Sequence, residues 1–136
     1  MKNFFVLFII LLTAGVTPAV AADWEYIGRE GNKSSDATWA IDLDSMRRSG
    51  NLRRVWVQLQ VIAPGNTLSH VSERIFFQID CKAWTIRGLN FIKYNEDGAV
   101  ADSWASSRNS SPVTPDSIGE AMAQYVCKQP LSKFRS

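Results

Sequence analysis

The stretch from Val71 to Cys81, VSERIFFQIDC, constrains this chain more than any other. Val71, Ile75, Phe77, Ile79 and Cys81 fall on alternate positions. Ser72, Arg74, Gln78 and Asp80 fall between them, with Phe76 the one apolar member of that second set. A period of two describes a strand with one dry face and one wet face. The strand ends on a cysteine, and the only other cysteine is Cys127, near the C-terminus. If the two pair, the end of the chain is tied to the middle of a sheet. The alternative is a pair of buried free thiols.

The address of the protein bears on that choice. Lys2 opens a segment whose residues 4–12 are unbroken apolar, and Ala19-Val20-Ala21 supplies a small-x-small cleavage pattern. This is the layout of a secretory signal, cut after Ala21 or Ala22. The apolar core is too short for a membrane helix, which needs about 20 such residues. No later stretch approaches that length, so no transmembrane segment is expected in the mature chain. Export, periplasmic or to the cell surface, places both cysteines in an oxidising compartment, where an even count favours a disulfide. No cysteine stands at the cleavage site to carry a lipid. The organisation expected is a signal at 1–21, one domain at 22–128 and a flexible tail at 129–136. The net charge of +2 falls to +1 without Lys2. A charge so small gives no long-range pull towards nucleic acid.

Turn residues divide the mature chain into about six strands. The first covers 24–29, and a Gly/Asn/Lys/Ser-rich loop follows at 30–36. A second strand at 38–43 leads into a single helical turn at 44–48, capped by Asp42 or Asp44. Ser49-Gly50-Asn51 turns the chain into the longest strand, 52–62, with Val55, Val57, Leu59 and Val61 on its dry face. A Pro-Gly turn at 63–67 returns it along 68–81, antiparallel because the connection is short. An extended stretch at 82–94 contains Gly88, a candidate bulge or close approach. Asn95-Glu96-Asp97-Gly98 makes a hairpin turn into the strand at 99–104. A helix then begins at Thr114-Pro115, or at Ser117 with Glu120 as a capping box. Ile118, Met122, Tyr125 and Val126 form one apolar stripe. A helix this short is marginal alone in water and must dock on the sheet. The expected fold class is therefore α+β: a single antiparallel sheet of about six strands, a C-terminal helix on one face and one disulfide.

Little in the residues points to catalysis. His70 is the only histidine, which removes triads needing a second one and multi-histidine metal sites. Asp42 and Asp44 are explained by capping, and no phosphate-binding glycine pattern is present. No enzyme activity, cofactor or metal is expected. Two surfaces are candidates for binding. Arg47, Arg48, Arg53 and Arg54 flank the turn at 49–51, so a hairpin gathers four guanidiniums at one end of the sheet, suited to carboxylates, sulfates or phosphates. Trp56 falls opposite the valines and, with Phe76, makes an aromatic patch if no helix covers that face.

The ordered features resemble the bacterial surface-adhesin protein E family. They are Trp24; a strand ending in Asp42-Leu43-Asp44-Ser45-Met46-Arg47-Arg48; Gly50 followed by Arg54-Val55-Trp56; Ile79-Asp80-Cys81; Arg87; and Pro115-x-Ser117 opening a helix that ends on Cys127. The resemblance implies a small antiparallel sheet with a C-terminal helix packed on it and a disulfide between Cys81 and Cys127. It also implies an adhesin-like protein of the envelope, without catalytic residues, that contacts host matrix or serum proteins; the exposed aromatics and the Arg47–Arg54 rim extend the expected partners to other envelope proteins and polyanions. A periplasmic inhibitor or accessory protein is the alternative reading.

Overall fold

The computed structural model describes residues 22–32, 35–62, 69–106 and 108–135. The signal expected at 1–21 and the turn expected at 63–67 lie outside them. Among the described residues, eight strands form one curled antiparallel sheet: β1 Trp24–Asn32, β2 Ser35–Asp42, β3 Arg47–Ser49, β4 Leu52–Ile62, β5 Ser69–Asp80, β6 Thr85–Tyr94, β7 Val100–Ala105 and β8 Ser111–Pro112. The spatial order is β1-β2-β4-β5-β6-β7, with β3 pairing β4 and β8 pairing β6. The helix α1 spans Ile118–Lys128. No helix among the described residues is long and apolar enough to cross a membrane.

The six long strands are those expected from the alternation, and the register adds detail. Residues 30–32, expected in a loop, continue the ladder through Glu30↔Ala37 and Gly31↔Asp36. Their loop-like composition yields to pairing, helped by the Arg29–Asp36 ion pair and by the Trp39 indole donating to Glu30 at 3.2 Å. The helical turn expected at 44–48 is a 3₁₀ turn at Leu43–Ser45, capped by Asp42, and Arg47–Ser49 is a strand instead. The stretch at 82–94 does not begin extended. Residues 81–84 form a turn in which the Asp80 carboxylate accepts from the backbone N–H of Lys82 and Ala83. Trp84 takes a positive φ of 56°, costly for a bulky side chain, and it packs against the core in return.

One face of the sheet builds the core. Ile41, Val55, Val57 and Ile79 from the strands meet Met122, Ala123 and Val126 from α1, all at 0–1% exposure. Ser117 caps the helix, its hydroxyl accepting from the Glu120 N–H at 3.1 Å, and the Glu120 carboxylate accepts from Asp116 N–H. Of the two starts the sequence allows, the chain uses the later one. Gly28 lets the helix approach, because a Cβ there would stand 2.5 Å from Ile118 Cδ1. Cys81, in the turn after β5, is bonded to Cys127 with Cα atoms 5.7 Å apart across 46 residues. The loop closed is long enough for about 4 kcal/mol of stabilisation in the chain-entropy account.

The chain after α1 is docked where a flexible tail is expected. Leu131–Lys133 forms a 3₁₀ turn, and Phe134 is 6% exposed within the core cluster. Arg135 N–H donates to the Met46 carbonyl at 3.1 Å, and Arg48 N–H donates to the Arg135 carbonyl at 3.0 Å. Burial of one phenylalanine and two backbone hydrogen bonds outweigh the polar composition of this segment.

Candidate functional site

The face of the sheet opposite α1 carries no helix among the described residues. Its side chains follow from the register, because residues directly opposed in an antiparallel pair point to the same face. Three rows run across the strands. The first is basic: Arg47↔Arg54, Arg54↔Gln78 and Gln78↔Arg87. The second is aromatic, Trp56↔Phe76, continuing to Asn90 and Ala105. The third contains Gln58↔Arg74, continuing to Ile92 and Ser103.

The segment before β3 sets the edge of these rows. β2 pairs with β4 up to Val57, and β3 takes over at Arg54. Ser45 bridges the gap between them. Its hydroxyl donates to the Asp42 carbonyl at 2.7 Å and accepts from the Trp56 N–H at 2.9 Å. Asp42 in turn accepts from the Asp44 N–H at 3.1 Å. Burial pushes the Asp42 carboxyl above its ordinary range, while the Asp44 N–H and the nearby Arg74 charge pull it back down. Met46 completes this turn at 2% exposure in the core.

Trp56 and Phe76 stack with centroids 5.1 Å apart and rings inclined by 26°. Both are half-buried. The Arg74 guanidinium lies over two rings, 5.3 Å from the Trp24 centroid and 5.4 Å from that of Tyr94. Trp24 stands on β1 and Tyr94 on β6, so one arginine links aromatic groups from strands on either side of β5, all on the same face. The Arg54 Nε donates to Gln78 Oε1 at 3.0 Å, which holds the basic row in place. Beside the aromatic row is a shallow, open hollow of ≈ 400 Å³, lined on this face by Trp56, Asn90, Ile92, Ser103 and Ala105.

The four arginines singled out in the sequence are brought to one end of the sheet by the β3–β4 hairpin, but alternation divides them between faces. Arg47 and Arg54 are opposed on the uncovered face. Arg48 and Arg53 are opposed on the helix side. Arg53 is only 9% exposed: its Nη1 donates to the Gly50 and Leu52 carbonyls at 2.7 and 3.0 Å, and Phe134 covers its guanidinium at 5.1 Å. Arg47 Nη1 bonds the Asp44 and Met46 carbonyls and leaves its other donors to the surface. Arg74, Arg87, Trp24 and Tyr94 join Trp56 and Phe76 on the uncovered face. Parity along β5 hinted at Arg74; the others needed the register of β1 and β6, including the bulge between Gly88 and Asn90.

The antiparallel sheet thus has one face packed against a disulfide-tied helix and the other presenting stacked aromatics and guanidiniums. The family model for surface-adhesin protein E matches residues 24–128, which is most of the chain, and the protein belongs to that family. Comparison with curated proteins and with solved structures finds no match.

Proposed function

We propose that this protein is an exported, non-enzymatic, adhesin-like binding protein of the bacterial envelope that holds a macromolecular partner against its uncovered sheet face. The observation that carries the reading is the composition of that face. A sheet face left to water is ordinarily lined by small polar or flexible charged groups. This one centres on a Trp56–Phe76 stack flanked by Arg54, Arg74 and Arg87. Tryptophan, tyrosine and arginine are the side chains that carry most binding energy at interfaces. Family membership supports the adhesin reading, and the signal-like segment at 1–21 supports export with cleavage after Ala21 or Ala22.

Binding to immobilised matrix and serum proteins tests it. Trp56→Ala with Arg54→Glu should weaken binding by about tenfold or more, the loss expected on removing hot-spot groups. Gln124→Ala, exposed on the helix, should leave it unchanged. Equal binding by both variants would defeat the reading. Protease shaving of intact cells tests the address: cleavage of the protein means display on the surface, whereas protection moves it to the periplasm and favours an inhibitor or accessory role.

A further inference from the structure

We propose that the uncovered face binds an acidic polysaccharide, with a sugar ring stacked on Trp56 and its sulfate or carboxylate groups on Arg54 and Arg87. The proposal rests on the binding reading above and names the chemistry of the partner.

Two adjacent features carry it. The ≈ 400 Å³ hollow has an indole wall, an amide from Asn90 and a hydroxyl from Ser103. Its volume suits a small cyclic group. A flat apolar ring beside neutral hydrogen-bonding groups fits a pyranose, which offers a C–H face and a rim of hydroxyls. It does not fit a purely apolar ligand, which would strand the amide and the hydroxyl. The second feature is the basic row. Arg54 stands two residues from Trp56 on the same strand and the same face, about 6.6 Å along it. Arg87 is two strands further, about 10 Å from Arg54 at the backbone. Guanidiniums so placed meet anionic substituents on one ring and on its neighbour.

Charge complementarity favours the same occupant. The central part of this face holds Arg47, Arg54, Arg74 and Arg87 against Asp42 and Asp80, and the Asp80 carboxylate already accepts from the Lys82 and Ala83 N–H groups. Asp42 already accepts from the Asp44 N–H, and Arg29 and Asp36 pair with each other near the far edge of the sheet. The surplus is positive, although the whole chain is close to neutral. A linear acidic polysaccharide laid across the strands matches both the local sign and the spacing.

Titration of the mature protein with a size-defined heparin oligosaccharide tests this, with dextran as the neutral control and inorganic polyphosphate as the ringless one. Saturable heparin binding that falls about tenfold or more in Arg54→Gln with Arg87→Gln, the loss expected for charge-assisted contacts, supports it. So does a comparable fall in Trp56→Ala that Trp56→Phe restores, with polyphosphate binding unaffected by either Trp56 substitution. Each variant is checked for an unchanged melting profile; should Trp56→Ala not fold, Ser103→Leu, which fills the hollow from a fully exposed strand, takes its place. No heparin binding overturns the proposal, as does binding equally reduced by Lys93→Gln on the other face. If heparin fails while Trp56→Ala with Arg54→Glu still weakens binding to an immobilised protein, the ligand chemistry is wrong and the binding reading stands.

Discussion

The two faces of the sheet are made by the same strands, yet they are different materials. On β4, Val55 and Val57 are fully buried beneath α1, while Arg54 is exposed on the opposite side and Trp56 is half-buried. Over the core the covered face is dry because a helix, a disulfide and the residues around Phe134 seal it, while at its β6–β7 end Trp104 stacks on Phe91 and stays 39% exposed. On the other face, long side chains lie on one another: Trp56 on Phe76, and Arg74 on Trp24 and Tyr94. Gln58 is brought to 6% exposure there without a helix. Burial therefore concentrates on one face while the proposed binding groups lie on the other, and substitutions should separate the two.

The largest expected effect is on the covered face. Replacing both cysteines, Cys81→Ser with Cys127→Ser, should cost about 4 kcal/mol in denaturant unfolding. A loss under about 1 kcal/mol would show that the helix docks without its tether.

A paired comparison comes next. Met122→Ala opens a cavity at a site with 1% exposure and should cost about 2–5 kcal/mol. Trp56→Ala loses one stacking pair at a half-buried site, with about 0.5–1.5 kcal/mol attached to the pair beyond its area. The first should lower the melting temperature and leave partner binding intact in the folded protein. The second should lower it less and weaken partner binding. Similar losses of stability from both would mean that the sheet has two cores and no binding face.

The smallest effect concerns Asp42, where the faces meet. Its carboxyl is raised by burial, so the folded state disfavours the charged form. A raised value means that the stability contribution is present below the ordinary carboxylate pKa and is lost as pH rises through the folded one. Asp42→Asn keeps an acceptor for the Asp44 N–H and removes that loss. Urea midpoints from about pH 3 to pH 7 should show the variant gaining on the native protein as pH rises. A variant that loses ground instead would assign the dominant role to the Arg74 attraction.

Much of this architecture was legible in the sequence because it is written in local periods. The alternation along 71–81 and 52–62, the Asp-Gly turn and the stripe Ile118–Met122–Val126 each report a face without reference to distant residues. Elements that depend on pairing were not legible. The short strands β3 and β8 contain too few residues to show a period. Phe134 lies in a polar segment, and its burial depends on Arg53 and Met46 arriving beneath it. The candidate site is divided in the same way: Trp56 and Phe76 could be assigned to one surface from parity alone, but not Arg87 or Trp24.

The sequence by itself determined the six long strands, the helix, the stripe that must dock and the two sulfurs available to hold it, since each follows from spacing along the chain. Tertiary structure alone decided which arginines share a surface. A one-residue shift of register reverses a strand's faces, and register is fixed by contacts between segments far apart in sequence. For that reason Arg54 and Arg53, neighbours in the chain, end with opposite roles: one held open beside Trp56, the other closed beneath Phe134.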